Sequence, residues 1–254
     1  MNTTFSLHRI KLLAFRYLTE NGRRDLVTST LFFIAFAFLP RLISNSYPFT
    51  SFIIFCVIFC IGGVRFTARI FHEIHTPESG MHYLHIPASL IEKFLLNGAL
   101  TLLFFPAICL LLYYGGTLFG NFLAPIMPSL FNYNTIDISS LIPSEQINKL
   151  ISQYVVIHSI FFLGSLIFKK HPTSKTFISM IMILMLIGVF QLLLFKMVWK
   201  DITSSFTEDS LSLTLSLENM FGSHILLYTK WLLNGVIAVF LWIVAYFKFK
   251  EKQV

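Results

Sequence analysis

The chain alternates between long apolar runs and shorter polar segments. Six of the runs are long enough to cross a hydrocarbon core about 30 Å thick, which takes roughly 20 residues of helix. They lie at about 26–44, 49–68, 94–118, 150–168, 176–198 and 225–247. Strands of a membrane barrel would alternate in polarity over about 10 residues, whereas these runs are continuous. The pattern therefore predicts an all-α polytopic membrane protein with six transmembrane helices.

The segment ahead of the first run has an amphipathic pattern. Wound at about 100° per residue, residues 5–20 place the following apolar residues on one face: Leu7, Ile10, Leu13, Ala14, Tyr17 and Leu18. A basic amphipathic helix ahead of a span is typical of a helix that lies in the membrane interface, near anionic headgroups. We predict such an interfacial helix over 5–24, the alternative being a cytoplasmic extension of the first span.

Residues 71–93 form a long polar interruption between spans two and three. Thr76 and Pro77 favour a helix start, because a hydroxyl can cap the helix and proline fits its first turn. Ser89 and Glu92 have the spacing of a capping box. The segment is therefore predicted as a short helix, a bend at 83–86, and a new helix that leads into span three.

Two residues within the apolar runs are expected to affect their helices locally. Pro106 is predicted to kink span three, since proline removes a helical hydrogen bond. Arg41, near the end of span one, is predicted to extend its side chain outward to the membrane surface.

The composition supports a single transmembrane domain over 1–254. Hydrophobic residues make up 56% of the chain, charged residues only 12%, and the mean hydropathy is +0.74. A soluble domain carries about 25% charged residues. The loops at 119–148 and 199–222 are predicted to lie on the outer side of the membrane.

The distribution of lysine and arginine predicts the orientation. With the N-terminus inside, 14 of the 19 basic residues fall in cytoplasmic segments, as the positive-inside rule requires. Both termini are then cytoplasmic, and the formal net charge of +7 is explained without nucleic acid as a partner.

A short motif follows the bend. The run Tyr83, Leu84, His85, Ile86, Pro87, Ala88, Ser89, then Glu92, Lys93 and Phe94, resembles the YLxLPAS..EKF signature of the ABC-2-like permease proteins common in Bacteroidetes. His85 and Ile86 stand where that family often has other apolar residues. The order of an N-terminal helix, six spans and a helix between spans two and three is also similar to ABC-2 permeases.

The resemblance implies a permease subunit of an ATP-driven transporter in the bacterial inner membrane. It implies a homodimer or heterodimer of permeases, surrounded by membrane lipid, with separate ABC ATPase subunits. The residues expected to couple to the ATPase are Glu73, Tyr83, Leu84, Pro87, Ala88, Ser89, Glu92 and Lys93. The chain contains no GxxxxGK[ST] phosphate loop, so it is not expected to be an enzyme, and ATP and magnesium would be bound by the partner.

Four histidines in the same segment suggest a metal site as an alternative. His72 and His75 are one helical turn apart, and His82 and His85 repeat the spacing. Imidazole is a common ligand for zinc and other transition metals. The alternative function is therefore a histidine-dependent membrane metalloenzyme. Under the transporter hypothesis, we expect the chain to bind no cofactor of its own.

Three polar residues fall inside the predicted spans. His158, Gln191 and Asn234 lie in spans four, five and six, and polar groups at that depth usually face a bundle interior or a cavity. They are candidates for a path taken by a hydrophobic or lipid-like substrate. The same pattern fits a neutral histidine bonded to another helix, and a third hypothesis is a non-transporting scaffold or immunity protein.

Overall fold

The computed structural model describes residues 6–43, 47–75, 77–126, 136–137, 141–198 and 231–252. Within these residues the chain is helical, with α1 at Leu7–Ile43, α2 at Tyr47–Arg69, α3 at His72–His75, α4 at Pro77–His85, α5 at Leu90–Ala99, a π-helical turn at Leu100–Phe104, α6 at Phe105–Leu123, α7 at Ser144–Ile167, α8 at Pro172–Val198 and α9 at Trp231–Glu251. The predicted all-α polytopic membrane fold is confirmed. The predicted outer loop at 199–222 and the beginning of span six lie outside the described residues.

Six of the described helical segments are long and apolar enough to cross a membrane. They are Leu7–Leu42, Phe49–Arg69, Leu90–Leu123, Gln146–Ile167, Pro172–Leu194 and Trp231–Glu251. Each overlaps one of the six predicted runs, with ends that differ by a few residues. Most of the large apolar side chains of α8 and α9 are exposed, as expected for surfaces that face lipid.

The first helix differs from the prediction of a separate interfacial helix over 5–24. Residues 7–24 and span one form the continuous helix α1, 37 residues long. At 1.5 Å per residue it extends about 56 Å, well beyond a hydrocarbon core of about 30 Å. Gly22 is the one weak helix former at the expected boundary, and a single glycine costs only about 1 kcal/mol. The helix bounds therefore agree with the alternative prediction, in which residues 7–24 extend span one.

The kink expected at Pro106 takes the form of a π-helical turn. Leu100–Phe104 separates α5 from α6, and Pro106 follows in the first turn of α6. Proline has no backbone N–H to continue the α-helical pattern, and a π-turn is one of the ways in which a helix absorbs such a defect.

Arg41 is buried and does not extend outward as predicted. Its guanidinium donates to the carbonyl oxygens of Ala37 at 2.7 Å and Thr117 at 3.1 Å, and to Oδ1 of Asn121 at 2.5 Å. The prediction was wrong because α6 offers acceptors within reach, so the charge is satisfied by a neighbouring helix instead of by the membrane surface.

Aromatic residues fill two clusters, one towards each end of the bundle. In one, Phe36, Phe55 and Tyr113 pack together, with the rings of Phe55 and Tyr113 stacked at 4.6 Å. In the other, Phe71, which follows α2 in the chain, packs against Phe162 of α7 and Phe249 of α9. The second cluster includes Tyr83, so it supports the polar segment between spans two and three.

Candidate functional site

The candidate site is the segment 71–93, which we call the elbow. It contains α3, α4 and the start of α5, and so joins α2 to the third span. A bend at 86–88, closed by a hydrogen bond from the Ala88 N–H to the Ile86 carbonyl at 2.7 Å, separates α4 from α5. The predicted order of short helix, bend and new helix is therefore found, but the bend lies at 86–88 instead of 83–86 because α4 continues through His85. Thr76 lies outside the described residues.

The predicted capping box at the start of α5 is confirmed. Ser89 is the N-cap, and its Oγ accepts a hydrogen bond from the Glu92 N–H at 3.2 Å. In return, Oε2 of Glu92 accepts from the Ser89 N–H at 2.7 Å. Both bonds satisfy N–H groups that a helix start would otherwise leave unpaired, so the bend ends at a defined residue.

The Glu92 carboxylate also holds the N-terminus of α1. Its other oxygen, Oε1, accepts from the Ser6 N–H at 2.6 Å and lies 3.1 Å from Nη2 of Arg9. The Glu92 side chain is fully buried. One negative charge therefore lies at the N-terminal ends of two helices, α1 and α5, where the helix dipoles stabilise it.

Lys93 fixes α4 against α5. Its Nζ donates to the Tyr83 carbonyl at 2.9 Å and lies 5.2 Å from the centre of the Tyr83 ring. The Tyr83 hydroxyl accepts from Nδ2 of Asn97 at 3.1 Å, and burial raises the pKa of Tyr83. Because these groups are buried, they satisfy one another inside the elbow and stiffen it.

The structure places the predicted coupling residues at different depths. Tyr83, Ala88, Glu92 and Lys93 are buried, Glu73 and Ser89 are half-buried, and Pro87 is exposed; the Leu84 side chain lies outside the described residues. Four of the eight predicted coupling residues are therefore buried inside the protein, where a soluble partner cannot contact them directly.

The exposed surface of α4 is formed by residues that the sequence did not single out for contact. Met81, His82 and His85 are exposed. A cleft of about 640 Å³ lies beside them, between α1 and the elbow, and both His82 and Glu73 line it. Helical periodicity would have found this face once Tyr83 was assigned to the interior.

The four histidines proposed as metal ligands are not gathered into one site. His82 and His85 lie on α4, and Nδ1–H of His85 donates to the Met81 carbonyl at 2.7 Å. Within the described ranges, no three His, Cys, Asp or Glu side chains converge in a manner suited to a metal ion.

His75 instead connects the elbow to two other helices. Its Nε2–H donates to the Ser165 carbonyl at 2.7 Å, which leaves Nδ1 to accept from Nζ of Lys252 at 3.0 Å. Burial lowers the pKa of His75, and the neutral ring is the form that can make both bonds. The elbow is thereby attached to the ends of α7 and α9.

His158 lies at the π-helical turn of the third span. The Thr101 hydroxyl donates to the Asn97 carbonyl at 2.8 Å, so the imidazole Nε2–H is the donor to Thr101 Oγ1, at 2.7 Å. Tyr154 donates its hydroxyl to the Thr101 carbonyl at 2.5 Å. Two residues of α7 therefore satisfy the polar groups of the π-turn, and this matches the reading of His158 as a histidine bonded to another helix.

The other two intramembrane candidates lie in different surroundings. Gln191 is exposed on α8 and does not face the bundle interior. Asn234 of α9 is half-buried and donates through Nδ2 to Oγ of Ser152 in α7, at 2.8 Å. His158 lines a groove that has a volume of about 250 Å³ and runs between α2 and α7.

We expect the substitution His158→Phe to lower stability only slightly. Phenylalanine preserves the ring stacked on Phe162 at 5.3 Å but removes the bond to Thr101, and a hydrogen bond between membrane helices contributes about 0.6 kcal/mol on average. Unfolding of purified protein in detergent, followed by circular dichroism, measures the loss. A decrease of several kcal/mol would show that the histidine does more than satisfy the π-turn.

No protein-family model matches the chain, and no curated protein or solved structure matches it either.

Proposed function

We propose that the chain is the permease subunit of an ATP-driven transporter of the ABC-2 type. It moves a hydrophobic or lipid-like substrate across the bacterial inner membrane and works as a dimer with two separate ATPase subunits. Both termini are in the cytoplasm, which places the elbow on the side where ATP is available. The chain itself contains no phosphate loop, so hydrolysis takes place on the partner.

The observation that carries the proposal is the attachment of the elbow by Glu92. Its buried carboxylate bonds both the start of α1 and the start of α5, while α3 and α4 continue from α2. A force on the elbow is therefore transmitted to the first, second and third spans together. Work done on a soluble subunit can reach the membrane only through a stiff connection of this kind.

The motif residues act as positioning residues in this proposal. Tyr83 and Lys93 hold α4 against α5 from inside, and this presents Met81, His82 and His85 to the cytoplasm. The ATPase contacts this exposed face and the cleft beside it. The resemblance to the YLxLPAS..EKF signature supports the same assignment of buried positioning residues and an exposed contact face. The proline and the capping box of that signature make the bend rigid.

The groove between α2 and α7 is the proposed substrate path. Phe52, Phe59 and Phe161 make its walls mainly apolar, and His158 lies among its lining residues. Such a surface suits an apolar chain better than a small ion, since it provides few fixed charges to replace water around an ion.

Co-purification with an ABC ATPase from the same organism tests the proposal. We expect His82→Glu combined with Met81→Glu to reduce the amount of bound ATPase about tenfold, because two negative charges on the contact face cost on the order of 1.4 kcal/mol. Insertion into the membrane is expected to be unchanged, since both side chains are exposed.

The matched control is Leu7→Glu combined with His8→Glu, which introduces the same two charges at adjacent exposed positions on α1, outside the elbow. It should leave ATPase binding intact. Equal binding by all three proteins would refute the assignment of α4 as the contact. Binding of a partner without any nucleotide-dependent movement of substrate would favour a scaffold instead.

A further inference from the structure

A second cleft, separate from the exposed face of α4, collects positive charge from three parts of the chain. It has a volume of about 1020 Å³, and five basic residues line it: Arg24 of α1, Arg65 and Arg69 of α2, and Lys169 and Lys170 of the turn between α7 and α8. All five side chains are exposed within it. Three histidines complete the lining, and none of the lining residues is acidic.

The positive charges in this cleft are poorly compensated by the protein. Arg65 and Arg69 are four residues apart on α2, where like charges repel each other and destabilise the helix. Neither guanidinium forms an ion pair with a residue in the described part of the chain. Arg24 forms an ion pair with its neighbour Asp25, at 3.5 Å. The cleft therefore attracts an anion from outside the chain.

The wall formed by Lys169 and Lys170 is held in place by close helix packing. A side chain at Gly164 would collide with Thr176, so glycine is what allows α7 and α8 to approach this closely. The turn between them brings His171 to a φ of 52°, a value that non-glycine residues adopt uncommonly. The two lysines are thus set by the fold and not by an unconstrained loop.

An apolar cavity opens from the same residues. It has a volume of about 550 Å³ between α1, α2 and the third span, and it shares Arg24, Arg65, Arg69 and His72 with the cationic cleft. From these residues it extends along membrane-spanning helix to Ile58 and Leu112. Its volume lies within the range of about 300–1,000 Å³ that is usual for small-molecule sites.

The acidic groups of the apolar cavity offset only part of the charge of the cleft. Asp25 is paired with Arg24 and accepts a hydrogen bond from the Tyr17 hydroxyl at 3.1 Å. Glu73 lines the cavity beside His72 and is half-buried. Both carboxylates lie outside the lining of the cationic cleft.

We propose that these two joined spaces bind an anionic phospholipid, with the phosphate headgroup in the cationic cleft and an acyl chain in the apolar cavity. Arginine forms paired hydrogen bonds with phosphate oxygens, and basic pockets at the ends of transmembrane helices favour anionic headgroups. An acidic protein surface could satisfy the cations but would leave the adjoining apolar cavity unfilled. The site requires only that the helices span a membrane, so it does not depend on the proposed transport function.

Lipid retention measures this binding directly. Purified protein is incubated in mixed micelles with equal amounts of phosphatidylglycerol and phosphatidylcholine that carry the same acyl chains, and the retained lipids are quantified by mass spectrometry. We expect phosphatidylglycerol to be retained preferentially. The double substitution Arg65→Gln with Arg69→Gln should reduce its retention about thirtyfold, since each of the two cations close to anionic headgroups contributes on the order of 1 kcal/mol.

The control is Lys11→Gln with Lys250→Gln, which removes two exposed charges outside both spaces. It should retain the lipid as the unchanged protein does. An equal loss in the control, or no preference between the two lipids, would overturn the proposal. Glycerol phosphate and inorganic phosphate are added as competitors, and displacement of the lipid by either at equal concentration would show that the cleft binds phosphate without using the cavity. Circular dichroism and thermal unfolding verify that each variant remains folded.

Discussion

Replacing Glu92 by leucine is expected to lower the free energy of unfolding by about 3 kcal/mol, because the change removes one partner of a buried ion pair. In the unchanged protein the Arg9 guanidinium lies 3.1 Å from Oε1 of Glu92, and the substitution removes this carboxylate. It also removes the acceptor of the N–H groups of Ser6 and Ser89. Glu92→Gln should cost less, since an amide oxygen can still cap α5. Chemical unfolding in detergent micelles, followed by circular dichroism, gives both values.

The chain provides a matched control for this prediction. Glu20 forms an ion pair with Arg16 at 2.7 Å, one helical turn away on the exposed surface of α1. Glu20→Gln should cost only about 0.3 kcal/mol, as is usual for exposed pairs on a helix. A double-mutant cycle with Arg9→Met and Glu92→Leu isolates the pair itself. If Glu92→Leu cost no more than Glu20→Gln, the elbow would not be fixed to α1 through this carboxylate.

The effect on function should follow from the same contact. When the elbow is no longer attached to α1, movement of α4 is transmitted to two spans instead of three. Under the proposed function, Glu92→Gln should therefore keep ATPase binding while reducing transport. Loss of ATPase binding at the same time would mean that the exposed face of α4 had itself been displaced.

The elbow shows which contacts a sequence can predict. The capping box of Ser89 and Glu92 is local, since the two residues are three positions apart and their types fix the geometry. The bond from Ser6 to Glu92 joins residues 86 positions apart, and no periodicity indicates that a helix N-terminus will come to rest there. The capping box was therefore predicted correctly from the sequence, while its attachment to α1 required the fold.

The same limit applies near the first span. The amphipathic pattern of residues 5–20 is real, but one helical face can be buried against another helix as well as against lipid. In the structure, Leu13 is buried while Phe15 is exposed. Arg41 was expected to reach the membrane surface because the sequence could not show that Asn121 and the Thr117 carbonyl would accept from it.

Intramembrane polar residues could be found from sequence but not oriented. His158, Gln191 and Asn234 differ in their surroundings because each occupies a different angular position on its helix, and low amphipathicity in α7 and α8 gives no indication of which face is internal. His158 meets the π-turn, whereas Gln191 is exposed. The π-turn itself was suggested only by Pro106, as an unspecified kink.

The second large effect is expected at Gly116, where α6 approaches α1. A Cβ atom at this position would lie 2.9 Å from both the Phe33 carbonyl oxygen and Cβ of Phe36. Gly116 and Gly120 form a GxxxG pattern, which allows membrane helices to pack closely. Because backbone atoms cannot rotate away, Gly116→Ala should cost about 2 kcal/mol, measured by unfolding in detergent micelles. Gly116→Leu should prevent the two helices from packing.

Gly115 is the matched control, because it neighbours Gly116 in the same helix. A Cβ added there would have its nearest neighbour, Cε2 of Phe33, at 3.5 Å, an ordinary contact. Gly115→Ala should therefore be neutral or slightly stabilising, since alanine favours a helix over glycine by about 1 kcal/mol. The difference between the adjacent substitutions measures the close approach of α1 and α6, separately from helix propensity. Equal effects would mean that this approach does not stabilise the bundle. The close approach of α1 and α6 would then no longer explain why Arg41 is buried against α6 beside Gly120.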